Sequence, residues 1–278
     1  MLRLAAHGWE LDLLPTLGGS IGALRHHDQD ILRPAPANPT DPLQTACFPL
    51  VPYVNRIANG RFRFGGRSWR LPLNFGDHPH SLHGVGWQRP WQVTEHGEDR
   101  ATLALDHPGG DGWPWPFHAE QQFRLSGDGL TARLRLRNMA DEPMPAGLGF
   151  HPYFPRRADS RLTARVSAAW TADATQLPLD RVAPDHFGNW AEGDSLSRPA
   201  LVDNAHDGWA GDARIEGGGL SIRLSATGAD GLHLYIPPGA DFFCAEPVTH
   251  LPDAINRGGM TVLSPGGDME IGMRIFLA

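Results

Sequence analysis

Leu130-Thr131-Ala132-Arg133-Leu134-Arg135-Leu136-Arg137 decides the fold class. Apolar residues hold every even position and polar residues every odd one. A period of two sends the sets to opposite faces of an extended chain, as in a half-buried strand. Met269 to Leu277 repeats the pattern, with Met269, Ile271, Met273, Ile275 and Leu277 on one side. Leu220 to Leu224 alternates as well. Trp9 to Leu14, Ile21 to His26, Trp91 to Glu95, Thr102 to Asp106 and His118 to Leu125 are further strand candidates. No stretch sustains a helical period. Ala168 to Leu177 and Asp253 to Asn256 each have room for one short helical turn.

The 33 glycines and 25 prolines are spread through the chain, a density that breaks long helices and suits short strands joined by turns. Strands without alternating helices predict an all-β fold, a large antiparallel β-sandwich. The 278 residues suffice for a sizeable core. No repeat or composition shift marks a linker, so 1–278 reads as a single domain. Asp106 to Pro116 reads as a long surface loop, and Asp180 to Asp212 as an irregular polar region. Long loops in compact domains often carry function.

A net charge of −7 and a pI near 6.0 disfavour nucleic acid or an anionic membrane as partner. The N-terminus lacks the apolar core of a signal peptide, and no window is apolar for long enough to cross a bilayer. A cytoplasmic protein, monomer or homodimer, is expected. Cys47 and Cys244 read as two buried thiols rather than a disulfide framework.

Two short stretches carry the strongest chemical signal. In Gly147-Leu148-Gly149-Phe150-His151-Pro152-Tyr153-Phe154, glycines allow close backbone approach and Pro152 biases His151 towards an extended conformation before a turn. In Phe242-Phe243-Cys244-Ala245-Glu246-Pro247, a carboxylate follows an apolar run, as at the end of a buried strand facing a cavity. An imidazole and a carboxylate fixed on opposite sides of one small molecule can move two protons on it. Asn55 and Arg56 lie in an apolar stretch; the guanidinium needs planar acceptors, from a structural salt bridge or from a ligand. His83 lies among glycines near Trp87, either as a packing residue or as a ligand contact. Asp203 follows two aliphatic residues and serves either to cap a turn or to grip paired hydroxyls. His78 and His80 alternate, as on one strand face, but lack a third ligand. With neither His-Glu-x-x-His nor Cys-x-x-Cys, no metal is expected. Nucleotide-binding and nucleophile-elbow motifs are absent.

Together these motifs resemble the aldose 1-epimerase (galactose mutarotase) family. The matching pieces are Asn55-Arg56-Ile57 with Gly60-Arg61-Phe62, Leu82-His83-Gly84, Trp113-Pro114-Trp115-Pro116-Phe117, His151-Pro152-Tyr153-Phe154, Asp203-Asn204 with Gly208-Trp209, and Glu246-Pro247 with Asp253-Ala254-Ile255-Asn256. They run in the family's order from about residue 48 to 256. The resemblance implies a large antiparallel β-sandwich, Glu246 as general base and His151 as general acid. It implies Arg56, His83 and Asp203 as sugar-holding residues, with Asn55 and Tyr153 as further contacts. Val85 stands where many members have a second glycine, and Pro155-Arg156 where many have Asn-Leu, so the preferred sugar is left open. The implied partner is a free aldose. Ionised Glu246 would take the C1 hydroxyl proton and charged His151 would protonate the ring oxygen; only protons move, so no cofactor is expected. Two alternatives keep the fold. A hexose-6-phosphate mutarotase would need a basic rim, for which Arg156, Arg157, Arg61 and Arg63 are available. A non-catalytic carbohydrate-binding protein would not need the His–Glu pair. A glycoside hydrolase would ordinarily need two flanking carboxylates.

Overall fold

The alternating stretch lies inside the strand Gly129–Asn138 of a computed structural model that describes residues 1–278. Leu130, Ala132, Leu134 and Leu136 are buried, and Arg133, Arg135 and Arg137 point outward. The strand pairs antiparallel with Phe117–Ser126 on one side and Asp268–Leu277 on the other. All three belong to a nine-stranded sheet. A second sheet has eleven strands; across its centre run Cys47–Leu50, Gly149–Pro155, Phe242–Val248, Gly231–Ile236 and Val202–Asp207. One cluster of 54 buried residues draws on both sheets, so the chain is the expected all-β sandwich. Burying that much apolar surface is the main stabilising term.

Four local expectations are corrected. The 180–212 region is not irregular throughout, because Val202–Asp207 is a largely buried strand of the large sheet. Ala168–Ala172 is a strand, not a helical turn, because pairing with Val202–Asp207 and Pro178–Val182 overrides alanine's helix preference. The 106–116 segment is not a mere surface loop: Trp113 and Trp115 are fully buried, and Trp113 packs on Tyr53 and Phe62. His78 and His80 lie outside any strand, with ring centroids 5.3 Å apart. Helix is confined to one α-helical turn, Ala254–Arg257, and four short 3-10 turns, none long and apolar enough to cross a membrane. Cys47 and Cys244 are free and buried.

The large sheet is covered on both faces. Even-numbered side chains of Gly149–Pro155 and odd-numbered ones of Phe242–Val248 enter the inter-sheet core, among them Phe150, Phe154, Phe243 and Ala245. The opposite face holds a seven-residue cluster of Phe48, Leu50, Val54, Trp87, Tyr153, Cys244 and Val248. The segment following Cys47–Leu50 folds over this face, held by a bridge between Val51 and Gly84 and by Trp87 stacked on Phe48 at 5.4 Å. Gly84 is required there: its φ is +72°, and a Cβ would collide with the Val51 carbonyl.

Two imidazoles serve this architecture. His250 accepts from Val54 N–H (3.2 Å) through Nε2 and donates from Nδ1 to Leu251 O (2.8 Å), which requires the neutral ring and ties down the residue before Asn55. His206 is fully buried with neither ring nitrogen paired. Burial pushes each down to about 4. A lowered folded-state value means that the unfolded chain takes up protons first as pH falls, so stability is lost below the unfolded value of about 6.5. Between pH 7 and pH 5 each histidine should cost about 2 kcal/mol of unfolding free energy. Urea titrations at the two pH values check this; equal midpoints would mean that both rings are already solvated in the native state.

Candidate functional site

The strand register assembles the site. His151 pairs with Phe48, and Gly149↔Val248 with Tyr153↔Cys244 set His151 opposite Glu246. The ladder lapses between those two pairs, where Pro152 and Pro247 lack an N–H. His233 pairs with Glu246, and Tyr235 pairs with both Cys244 and Asp203. One row across the sheet therefore reads Phe48, His151, Glu246, His233, and the next reads Tyr153, Cys244, Tyr235, Asp203. Alternation places both rows on the face away from the inter-sheet core. His151, Glu246 and His233 of the first row and Tyr153, Tyr235 and Asp203 of the second form the floor of a cavity of about 600 Å³, within the usual range for small-ligand sites.

His151, Glu246, Arg56, His83, Asp203, Asn55 and Tyr153, all singled out from sequence, line this cavity. The imidazole and carboxylate are not on opposite sides of it, as expected, but side by side, with His151 Nε2 3.4 Å from Glu246 Oε1. Adjacent strands lie only about 4.8 Å apart, so neighbours in one row cannot flank a sugar ring. His151 is held flat between Phe48 (4.5 Å) and Tyr153 (4.8 Å), with His83 edge-on at 5.4 Å. Its Nδ1 is buried with no hydrogen-bond partner, and its Nε2 is the nitrogen that faces Glu246. His151 lies in strand rather than before a turn. Pro152 keeps it extended as expected, and the chain continues in the sheet to Pro155.

The wall above this floor is a chain of polar contacts. Arg56 Nη1 donates to Asn55 Oδ1 (2.9 Å) and Nη2 to Asp203 Oδ2 (3.2 Å); His233 Nε2 meets Asp203 Oδ1 at 2.7 Å. Asp203 thus lies within a strand and is not a turn cap. Asn55 and His83 both have left-handed backbones, φ +53° and +59°, and the His83 amide donates to the Asn55 carbonyl (2.8 Å). That bond joins the two loops that carry Arg56 and His83.

Two carboxylates in one cavity are driven apart electrostatically. Burial would raise Asp203, but the hydrogen bond and charge of His233, with Arg56, hold it at about 2. Burial raises Glu246 to about 7, with His233 and Arg56 opposing and Asp203 adding. Burial drives His151 down to about 3. Each member of the His151–Glu246 pair is pushed towards its neutral form, contrary to the expected resting ion pair. An ion pair and a neutral pair nevertheless hold the same number of protons, and they differ by one transfer across 3.4 Å.

Cys244 Sγ brings a third donor atom to this pair, all within 4.8 Å of one another. Burial pushes the thiol well up, and it packs in the cluster with Phe48 and Tyr153 as a small apolar group. The four arginines considered for a phosphate rim do not form one. Arg156 binds the Ala240 and Leu196 carbonyls, Arg157 lines a separate crevice, and Arg61 and Arg63 are exposed on Arg61–Phe64. Arg33, His233 and Tyr235 also line the cavity and were missed, and so does His78, weighed from sequence only as a metal ligand. Gly231-Leu232-His233-Leu234-Tyr235-Ile236 alternates, which could have placed His233 and Tyr235 on one face.

The aldose 1-epimerase family model matches residues 7–275. The chain is 33% identical to the uncharacterised protein YphB of Escherichia coli K12 over 269 residues, covering 90% of this chain and 89% of that one. It is 34% identical to the E. coli K12 aldose 1-epimerase over 140 residues, 49% of this chain and 39% of that one. The crystal structure of a candidate aldose 1-epimerase from E. coli K12 superposes with a TM-score of 0.91 at 31% identity, covering 100% of this chain and 99% of that one. A galactose mutarotase-like protein from Clostridium acetobutylicum shares the fold at 20% identity, with a TM-score of 0.88 over 99% of this chain and 94% of that one. Matched along nearly its whole length, the chain belongs to the aldose 1-epimerase family.

Proposed function

We propose that the protein is a mutarotase, interconverting the α and β anomers of a free aldose by acid–base ring opening and closure. The observation that carries this reading is the pairing of His151 and Glu246 side by side, 3.4 Å apart, at the floor of one cavity. A hemiacetal presents two oxygens on the same carbon, the C1 hydroxyl and the ring oxygen. Two adjacent proton-transfer groups suit two geminal oxygens better than groups on opposite walls would.

In this scheme Glu246 takes the C1 hydroxyl proton while His151 protonates the ring oxygen. The bond between C1 and the ring oxygen breaks, leaving an aldehyde, a C5 hydroxyl, a carboxylic acid and a neutral imidazole. Rotation about C1–C2 presents the other face. Closure returns one proton from the C5 hydroxyl to His151 and one from Glu246 to the aldehyde oxygen. Opening thus turns an ion pair into the neutral pair, the form that burial favours. Arg56, Asp203, Asn55 and His83 are the proposed hydroxyl contacts, and Tyr153 fixes the imidazole plane. Of the alternatives, the four arginines available for a phosphate rim lie away from the cavity, and a purely binding protein has no use for a buried pair sharing one proton.

Polarimetry on freshly dissolved α-anomers of several aldoses tests the activity. Glu246→Gln should lower turnover by about 10²–10⁴-fold while sugar binding persists; near-normal turnover would remove Glu246 as the base. The active pair carries one proton. Above the raised value of Glu246, about 7, that proton is lost. kcat/KM, which reports the free enzyme, should therefore decline as pH rises through about 7. A profile flat from pH 6 to 9 would contradict a shared proton.

A further inference from the structure

We propose that the cavity takes an aldose bearing a carboxylate, a hexuronate, with Arg33 as the residue that recognises the acid group; this rests on the mutarotase reading. The inference starts from the cavity's fixed charges. Arg56 is paired with Asp203, whose carboxylate also binds His233. Glu246 and His151 are each pushed towards neutrality. Arg33 is different. It lines the cavity, yet its recorded hydrogen bonds are from Nη2 to two neutral carbonyls, Leu43 O at 2.9 Å and Thr45 O at 3.0 Å. No carboxylate forms a salt bridge with it, whereas Arg56, the other arginine lining the cavity, has one with Asp203. A guanidinium stays charged at any working pH. Arg33 is half-buried, and an anionic ligand would offset the partial desolvation of a cation that has no carboxylate partner.

The guanidinium is also well held. Its central carbon lies 4.0 Å from the Tyr153 ring centroid and 4.6 Å from that of Phe242, and both rings line the cavity. The two carbonyls occupy Nη2 and leave Nε and Nη1 to donate. Tyr153 is the neighbour that Arg33 shares with His151, so the charge lies one aromatic residue from the proton-transfer pair. A single unpaired cation matches a monoanion. A phosphate dianion would call for a second one, and Arg61, Arg63, Arg156 and Arg157 all lie elsewhere. The acid group would also act on the chemistry. Burial and His233 chiefly lower His151, and Arg33 adds to the lowering. A carboxylate on Arg33 cancels that contribution and makes the ring easier to protonate.

The test compares kcat/KM for glucuronate, glucose and glucose 6-phosphate in wild type, Arg33→Lys and Arg33→Met. A charge-assisted contact should give wild type about a 10- to 100-fold preference for glucuronate over glucose, eroded by added salt. Arg33→Met should abolish the preference ratio, and Arg33→Lys should keep part of it. Equal rates on glucuronate and glucose in wild type would overturn the proposal and leave the mutarotase reading standing. So would a ratio unchanged in Arg33→Met, which would make Arg33 a brace for the 42–45 turn. A larger rate on glucose 6-phosphate than on glucuronate would overturn the carboxylate assignment. If no sugar is turned over, the mutarotase reading fails, and calorimetric binding of glucuronate against glucose, in wild type and Arg33→Met, decides the role of Arg33 by the same ratio.

Discussion

Cross-strand register is the constraint on which the rest depends. Four strands from distant parts of the chain meet in the large sheet, and their alignment alone brings Phe48, His151, Glu246 and His233 into one row. Slipping the glutamate strand by one residue would turn Glu246 into the sandwich core and expose Phe243 or Ala245 to the cavity. Registry is secured by what lies on the reverse side. Phe150, Phe154, Phe243 and Ala245 are packed in the core that both sheets share. The apolar face therefore enforces the polar one.

Given that row, burial and pairing divide the labour between the carboxylates. Asp203 has two cationic or donor partners and stays ionised. Glu246 has only His151 within ion-pair distance, itself pushed towards the neutral form, and burial raises Glu246 to about 7. In the proposed reaction one acid is the anchor and the other the proton carrier, on two strands of one sheet. His233 is the hinge of this division, because it bonds Asp203 and lies beside Glu246 in the row.

The clearest strands were legible where one face meets solvent, because alternation then shows in the residues themselves, as at Leu130–Arg137, although shorter ones such as Arg161–Ala164 and Asp212–Gly217 were not read. They were harder to read where both faces are covered, as in Ala168–Ala172. The candidate residues were legible as types set in unusual surroundings: an imidazole before a proline, a carboxylate after an apolar run. Their mutual geometry was not. Nothing local in Gly147–Phe154 states which strand will lie beside it, so a facing arrangement was inferred where a lateral one exists. Arg33 and His233 went unread for a related reason. Each is an ordinary residue in its own stretch and becomes notable only through neighbours brought by the sheet.

The left-handed backbones at Asn55 and His83 have an evolutionary consequence. Each costs a side-chain-bearing residue about 1–2 kcal/mol that glycine would not incur. Selection for thermostability alone would therefore drift towards glycine at both places, discarding a carboxamide and an imidazole that line the cavity. Keeping Asn55 and His83 in these two conformations exchanges some stability for the polar lining of the cavity.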